Sequence, residues 1–248
     1  MGVFLFQKSM KQNYENYNGE DQAVWTLLFN RQKENLALKG SKEYNYCLNL
    51  LAPCLNAEFI PNFEQMNSFF KTQTGWQIHV VPGLIPVEEF FDLLAEKKFC
   101  SSTWLRSREQ IDYLEEPDMF HDIFGHIPLL LNSTFSKFAQ AFGKLGQQYK
   151  DNEEILVKLQ RIYWFTIEFG LIKQNGELKV YGAGIASSFG ETNHVFDSKL
   201  THIKYEINEV IESEFYTDII QEKYFVIESF EELNLSLNKL SRKLKKSA

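Results

Sequence analysis

Two of the chain's five histidines stand five residues apart, in Glu116-Pro-Asp-Met-Phe-His121-Asp-Ile-Phe-Gly-His126-Ile-Pro128. A neutral imidazole is a common metal ligand, so the pair raises the question of a shared ion. On a straight α-helix, side chains five apart diverge by about 140°, whereas the four-residue spacing of zinc peptidases puts both on one face. Both histidines can reach one ion only if the helix bends or stops, and Gly125 and Pro128 are expected to end it there. A third ligand has to come from elsewhere. Glu168 is the candidate, because a carboxylate among Trp164, Phe165, Ile167 and Phe169 is costly to bury unless it meets a cation or hydrogen-bond donors. Two imidazoles and one carboxylate on one side of an octahedral ion form the facial triad of Fe(II) oxygenases, with three positions left for water or O2. Donor types alone leave Mn and Zn open. Asp118 and Asp122 as partners of the histidines, or Arg161 as partner of Glu168, are equally open readings. His79, His194 and His202 are expected to be structural or solvated.

Positioning these groups requires mostly helices. Asn18 to Asp21 can cap a helix through Trp25, Leu28 and Phe29 toward Leu36, and Asn62 or Asn67 can begin others. Residues 77–81 alternate as a short strand before Pro82-Gly83, and Pro86 opens a helix carrying Val87, Phe90, Phe91 and Leu94 on a 3.6-residue period. Apolar residues on most sides of Glu153 to Phe169 predict a buried helix, which sharpens the question of Glu168. Asn175-Gly176 between apolar runs predicts a β-hairpin over residues 171–181. The small-residue run from Gly182 to Gly190 is expected to let a backbone approach a ligand closely. No repeat, linker or low-complexity tract interrupts the chain, so residues 1–248 are expected to form one compact, mainly α domain with a few short β-strands.

Composition narrows the function classes. The net charge of −7 argues against a nucleic-acid partner. The basic tail, about residues 239–248, holds Lys239, Arg242, Lys243, Lys245 and Lys246 and is expected to be a solvated helix end rather than a membrane contact. Three cysteines without a C-x-x-C pair fit a reducing cytoplasm. The apolar start MGVFLF is too short for a signal peptide, and no stretch is long enough to span a membrane. The heavy load of 22 Phe, 11 Tyr and 4 Trp reads first as core.

Three segments in order, PDMFHDIFGHIPLL, IYWFTIEFG and YGAGIASSFGE, resemble the pterin-dependent aromatic amino acid hydroxylase family, with weaker similarity from about Asn18 to Phe230. The resemblance implies that family's mostly helical catalytic fold, with Fe(II) on His121, His126 and Glu168. It implies tetrahydrobiopterin or a related reduced pterin as cofactor and O2 as co-substrate, with one oxygen atom going to each of pterin and substrate. Val81-Pro-Gly-Leu-Ile-Pro86 is similar to the family's pterin loop, which puts Gly83, Leu84 and Ile85 at the pterin edge, Phe90 as the stacking ring, and Tyr163 and Asp122 beside it. Asp122 stands where the animal enzymes have Glu, so its carboxylate has a shorter reach.

By the same resemblance, Arg106 clamps the substrate carboxylate with Asp118 behind it. Pro117, Trp164 and Phe169 form the apolar wall around the substrate ring, and Gly184 and Ser187 lie near its amino-acid end. A planar guanidinium suits that clamp because it binds a carboxylate through two parallel bonds. Trp164 stands where tryptophan-specific members carry Phe, which favours hydroxylation of phenylalanine to tyrosine. The chain is most similar to the short bacterial members, and a monomer without a regulatory domain is expected. Competing readings are a tryptophan or tyrosine hydroxylase of the same family, an inactive binding protein on the same scaffold, and a zinc hydrolase using the two histidines.

Overall fold

The computed structural model describes residues 10–112, 114–217 and 219–247; the apolar start MGVFLF and the last residue of the basic tail lie outside them. Helix α1 (Gly19–Lys39) begins with a capping box, Asn18 accepting from the N–H groups of Glu20 and Asp21 while Asp21 accepts from that of Asn18. Its buried face carries Val24, Trp25, Leu28, Phe29 and Leu36, as the sequence pattern requires. Ser41 starts α2 (Lys42–Leu50), and Asn62 caps α3 (Phe63–Gln73). Asn67, the alternative start, sits inside α3. Its amide binds both the N–H and the carbonyl of Ile78 and so seats strand β1 (Gln77–Val80) against the helix.

Pro86 precedes α4 (Val87–Ala95), which leads to β2 (Lys98–Ser101), parallel to β1 with Gln77 opposite Lys98. Two glycines of α5 (Ser133–Gln148) allow that helix to lie against α4. A Cβ at Gly146 would fall 2.1 Å from Phe91 Cδ1, and one at Gly143 would fall 2.4 Å from the Ala95 nitrogen. Helix α6 (Glu153–Tyr163) runs straight into a π-helical turn over Trp164–Glu168, so the expected buried helix is present but changes its winding halfway.

The expected hairpin joins β3 (Leu171–Gln174) to β4 (Glu177–Val180), with Asn175 and Gly176 at φ 52° and 84°, the left-handed conformation this turn needs. Then come α7 (Ala183–Ser187), α8 (Phe189–His194), β5 (Thr201–Lys204), α9 (Ile207–Val210) and β6 (Lys223–Ile227). The larger sheet has the order β4-β3-β6-β5, with β6 parallel to both neighbours. Helix α10 (Phe230–Ser247) absorbs the basic tail, burying Leu233, Leu237 and Leu240 while Lys239, Arg242, Lys243, Lys245 and Lys246 face solvent. One hydrophobic cluster extends from Val24 to Leu240. Among the described residues no helix is long and apolar enough to cross a membrane.

The small residues after Tyr181 let two stretches of the chain pack closely. A Cβ at Gly182 would lie 2.4 Å from the Glu168 carbonyl oxygen, and one at Gly184 would lie 3.0 Å from the Phe169 ring. The close approach they permit is to the chain around Glu168. This packing holds α7 against the turn that ends in the carboxylate.

Candidate metal centre

Residues His121–His126 form a π-helical turn, and this resolves the five-residue spacing. In a π-turn the hydrogen bond runs from residue i to i+5, which brings side chains five apart onto one side. The expected helix end at Gly125 is therefore incorrect. The backbone stays helical through Ile127, at φ −63° and ψ −39°, and continues into a 3-10 turn over Pro128–Leu131. Gly125 serves packing instead, since a Cβ there would stand 2.9 Å from the Ala183 carbonyl oxygen. Pro128 has another effect: in an α-helical register its nitrogen would donate to the Phe124 carbonyl, and it carries no hydrogen. The buried hydroxyl of Tyr44, on α2, donates to that carbonyl in its place. The second π-turn sets Glu168 at its last position, facing the histidines.

The three donors converge. His126 Nε2 lies 3.1 Å from Glu168 Oε1 and 3.1 Å from His121 Nε2, and His121 Nε2 lies 3.7 Å from Glu168 Oε2. Ligand atoms sharing one ion at about 2.1 Å stand roughly 3.0–3.5 Å apart, from right-angled to tetrahedral geometry, so one ion can meet all three. The hydrogen-bond network fixes the tautomer of His121. Ser187 Oγ donates to the Ala183 carbonyl at 2.8 Å, so at 2.9 Å it must accept from His121 Nδ1. The proton sits on Nδ1, and Nε2 presents a lone pair to the centre.

The electrostatics agree. Burial lowers the pKa of His121 to about 4, so its ring is neutral at neutral pH. Burial alone would raise Glu168, but the imidazoles of His126 and His121, with hydrogen bonds from His126 and Tyr163, bring it down to about 2. A neutral lone-pair donor and an ionised carboxylate, largely shielded from water, are what a cation requires.

Asp118 links this centre to a buried cation. Its Oδ2 accepts from Arg106 Nε and its Oδ1 from Arg106 Nη2, both at 2.9 Å, and Oδ1 also accepts from the His121 N–H at 3.1 Å. Arg106 Nη1 donates to the Ile111 carbonyl at 3.3 Å, which leaves one N–H each on Nη1 and Nη2. Asp122 faces the other way, with Oδ2 accepting from the Ser102 N–H at 2.9 Å just past β2. Neither aspartate bonds a histidine ring, and Arg161 donates to the Ile211 carbonyl rather than to Glu168. Those side-chain pairings, open in the sequence, are not the ones formed among the described residues.

A model of the family described as biopterin-dependent aromatic amino acid hydroxylase matches residues 3–248. The chain belongs to that family. It is 41% identical over 226 residues to a phenylalanine-4-hydroxylase of Ralstonia nicotianae, covering 91% of this chain and 71% of that one. A crystal structure of Chromobacterium violaceum phenylalanine hydroxylase with bound iron(III) and 7,8-dihydrobiopterin superposes with a TM-score of 0.89 at 38% identity, covering 96% of this chain and 86% of that one. Another structure of that enzyme, with iron and phenylalanine bound, superposes with a TM-score of 0.87 at 35% identity, covering 96% and 87%. The pterin dependence and the use of iron and O2 that the sequence motifs imply are those of this family.

In this hydroxylase the loop with Gly83, Leu84 and Ile85 follows β1, and Val81 N–H donates to the Ser101 carbonyl at 3.0 Å. The loop thus emerges beside the two serines at the end of β2, one of which holds Asp122. Leu84 is exposed, while Gly83, Ile85 and Phe90 are half-buried. Phe90 meets Tyr163 edge-on at 5.1 Å, and Tyr163 stacks over His126 at 6.2 Å. Trp164 packs at a tilt of 35° against Phe169, centroids 4.6 Å apart, Gly184 backs Phe169, and Pro117 is exposed just before Asp118. Ser187 was expected at the substrate's amino-acid end, yet its hydroxyl is committed to His121.

Sequence reasoning missed three supports. Tyr44 is one; Phe99, packed on the His126 ring at 4.5 Å, is another; Gln221, bonded to the Trp164 indole, is the third. Each is remote in sequence from what it holds. Only the bare N–H position of Pro128 offered a signal, and only for Tyr44.

Proposed function

We propose that this hydroxylase converts L-phenylalanine to L-tyrosine, as a cytoplasmic monomer, with Fe(II) held by His121, His126 and Glu168. The observation that carries the reading is the convergence of those three donors beside the buried Arg106–Asp118 pair. Bound iron and reduced pterin would together supply the activation of O2, one oxygen atom entering the ring and the other the pterin. The chain's own residues bind, orient and dry the site. The free N–H groups on Arg106 Nη1 and Nη2 take the substrate carboxylate, and Asp118 holds the guanidinium in place for it. Trp164 and Phe169 receive the ring, with Pro117 and Gly184 at the margins of the pocket. Phe215 stacks on the far side of Trp164 at 4.8 Å.

Phenylalanine suits this wall better than tyrosine. Among Trp164, Phe169 and Phe215 the one polar group is the indole N–H, and Gln221 already accepts it at 3.0 Å. A ring hydroxyl would find no partner there and would lose its hydration. On the opposite side, the pterin would stack on Phe90 with its edge along Gly83, Leu84 and Ile85. Tyr163 would then separate it from α5, and the Asp122 carboxylate would face it. The net charge of −7 keeps nucleic acid from being a partner.

The test is a three-substrate assay. Protein loaded anaerobically with Fe(II) and a tetrahydropterin receives phenylalanine, tyrosine or tryptophan, then O2, and products are resolved by chromatography. Tyrosine is the expected product, with kcat/KM for phenylalanine at least about tenfold above that for tryptophan, the scale a shaped apolar pocket provides. Absence of iron-dependent tyrosine formation, or a preference for tryptophan, overturns the proposal.

A further inference from the structure

Stacking on Phe215 and tilted packing against Phe169 restrain the plane of the Trp164 ring but not its rotation within that plane. Among the described residues the ring's one directional contact is its N–H bond to Gln221, a residue 57 positions away and 6% exposed. That glutamine is held on every side. Its Nε2 donates to the carbonyls of Tyr216 and Ile219 at 2.9 and 2.8 Å, and its backbone N–H donates to Glu191 Oε1 at 3.1 Å. The Tyr224 hydroxyl donates to Glu191 Oε2 at 2.8 Å and lies 3.0 Å from the Gln221 carbonyl. An indole only donates and carbonyls only accept, so the amide has a single orientation that satisfies all of its partners.

We infer that Gln221 is a positioning residue that sets the rotation of Trp164 and thereby the fit of the substrate ring. The inference rests on the proposed reading of Trp164 as the wall of the substrate pocket. Because the same amide binds Tyr216 and Ile219, the indole is tied to the backbone of those two residues. Removing the amide leaves a half-buried indole N–H without its acceptor. The ring then turns to find water, and the wall loses its match to the substrate while the iron ligands stay where they are.

The experiment is a double-mutant cycle on the iron-loaded enzyme. Gln221→Met keeps the side-chain length and removes the bonds; Gln221→Asn, a milder variant, withdraws the acceptor by one carbon and stays polar. Each should raise the phenylalanine KM, by about tenfold for Gln221→Met, the scale of one lost buried hydrogen bond. The pterin KM, kcat and iron content should stay within about twofold. In a Trp164→Phe background, where no N–H remains to be held, either substitution should leave KM within about twofold of Trp164→Phe alone. An unchanged phenylalanine KM, or KM effects that multiply in the double variant, overturns the inference. If Gln221→Met does not fold, the Asn pair decides by the same criteria. Should Trp164→Phe alone leave KM unchanged, the reading of the wall falls and this inference with it. Should Trp164→Phe raise KM while the Gln221 variants do not, only the inference falls.

Discussion

The bond from Tyr44 to the Phe124 carbonyl predicts a specific reversal of mutational effects. Tyr44→Phe deletes one buried oxygen, with no change in ring packing, and strips the donor from a carbonyl inside the turn that carries both histidines. An unsatisfied buried carbonyl costs roughly 1–3 kcal/mol, and a chain of this length loses about 2–4 °C in Tm per kcal/mol. Metal-free Tyr44→Phe should therefore melt about 5 °C lower. Because the carbonyl lies between His121 and His126, Co(II) or Fe(II) affinity should also fall, by about tenfold, the low end for outer partners of ligating histidines. Pro128→Ala in the wild-type background should be mildly destabilising, since proline suits the first position of the Pro128–Leu131 turn. In the Tyr44→Phe background it supplies the N–H that the Phe124 carbonyl lacks, and it should recover at least half of the lost Tm. Differential scanning calorimetry and anaerobic metal titration of the four proteins form the assay. Simple additivity of the two substitutions, or Tyr44→Phe with unaltered melting and affinity, would refute the reasoning.

Other consequences can be measured separately. Ser187→Ala removes the acceptor that keeps the His121 proton on Nδ1, so metal affinity should fall about 10–100-fold while calorimetric stability changes by about 1 kcal/mol. Gly146→Ala drives a methyl into the Phe91 ring and should cost about 1–3 kcal/mol or more in denaturant unfolding; a neutral result would show that α4 and α5 can separate freely. Above about pH 4.5, where Glu168 is largely ionised in the folded and unfolded chain alike, the metal site's contribution to acid stability depends on two opposed groups. His121, with its pKa lowered to about 4 by burial, loses stability as pH falls from 6.5 toward 4, because the unfolded chain binds the proton first. Asp122, raised to about 7 by burial, does the reverse, its contribution being present at acid pH and lost as pH rises through 7. Between pH 6.5 and 4.5 the two nearly cancel, so their joint contribution to wild-type stability should be almost flat. Asp122→Asn should expose the His121 loss of about 2–3 kcal/mol over that range, and an equally flat profile in the variant would contradict the assignment.

Much of the site was legible because its signals are local. The Asn18 capping box, the Asn175-Gly176 turn and the helix after Pro86 each follow from a few adjacent residues, and the structure has them where the pattern puts them. Strands β2, β5 and β6 were not legible. Each has only four or five residues, and what makes it a strand is its pairing partner, which for β6 lies on both sides and distant in the chain. Asn67 could be read as a helix start because its amide competes for backbone groups, and it does so, but across space with Ile78.

The chain's residue types, taken by themselves, determined the donor set: two imidazoles, a carboxylate in an apolar stretch, and a guanidinium with a carboxylate to hold it. They also determined that His121 and His126 could not share an ion on an ordinary helix. How that conflict is relieved was left to tertiary structure. The widened turns at His121–His126 and Trp164–Glu168 are poor local conformations, held by contacts from elsewhere: Tyr44 on a bare carbonyl, Ala183 against Gly125, Gly182 against the Glu168 backbone. The tautomer of His121 and the setting of Trp164 likewise depend on Ser187 and Gln221, 66 and 57 residues away. A hydrogen bond has a direction only once both of its ends are fixed in space, and the order of residues along a chain does not supply that.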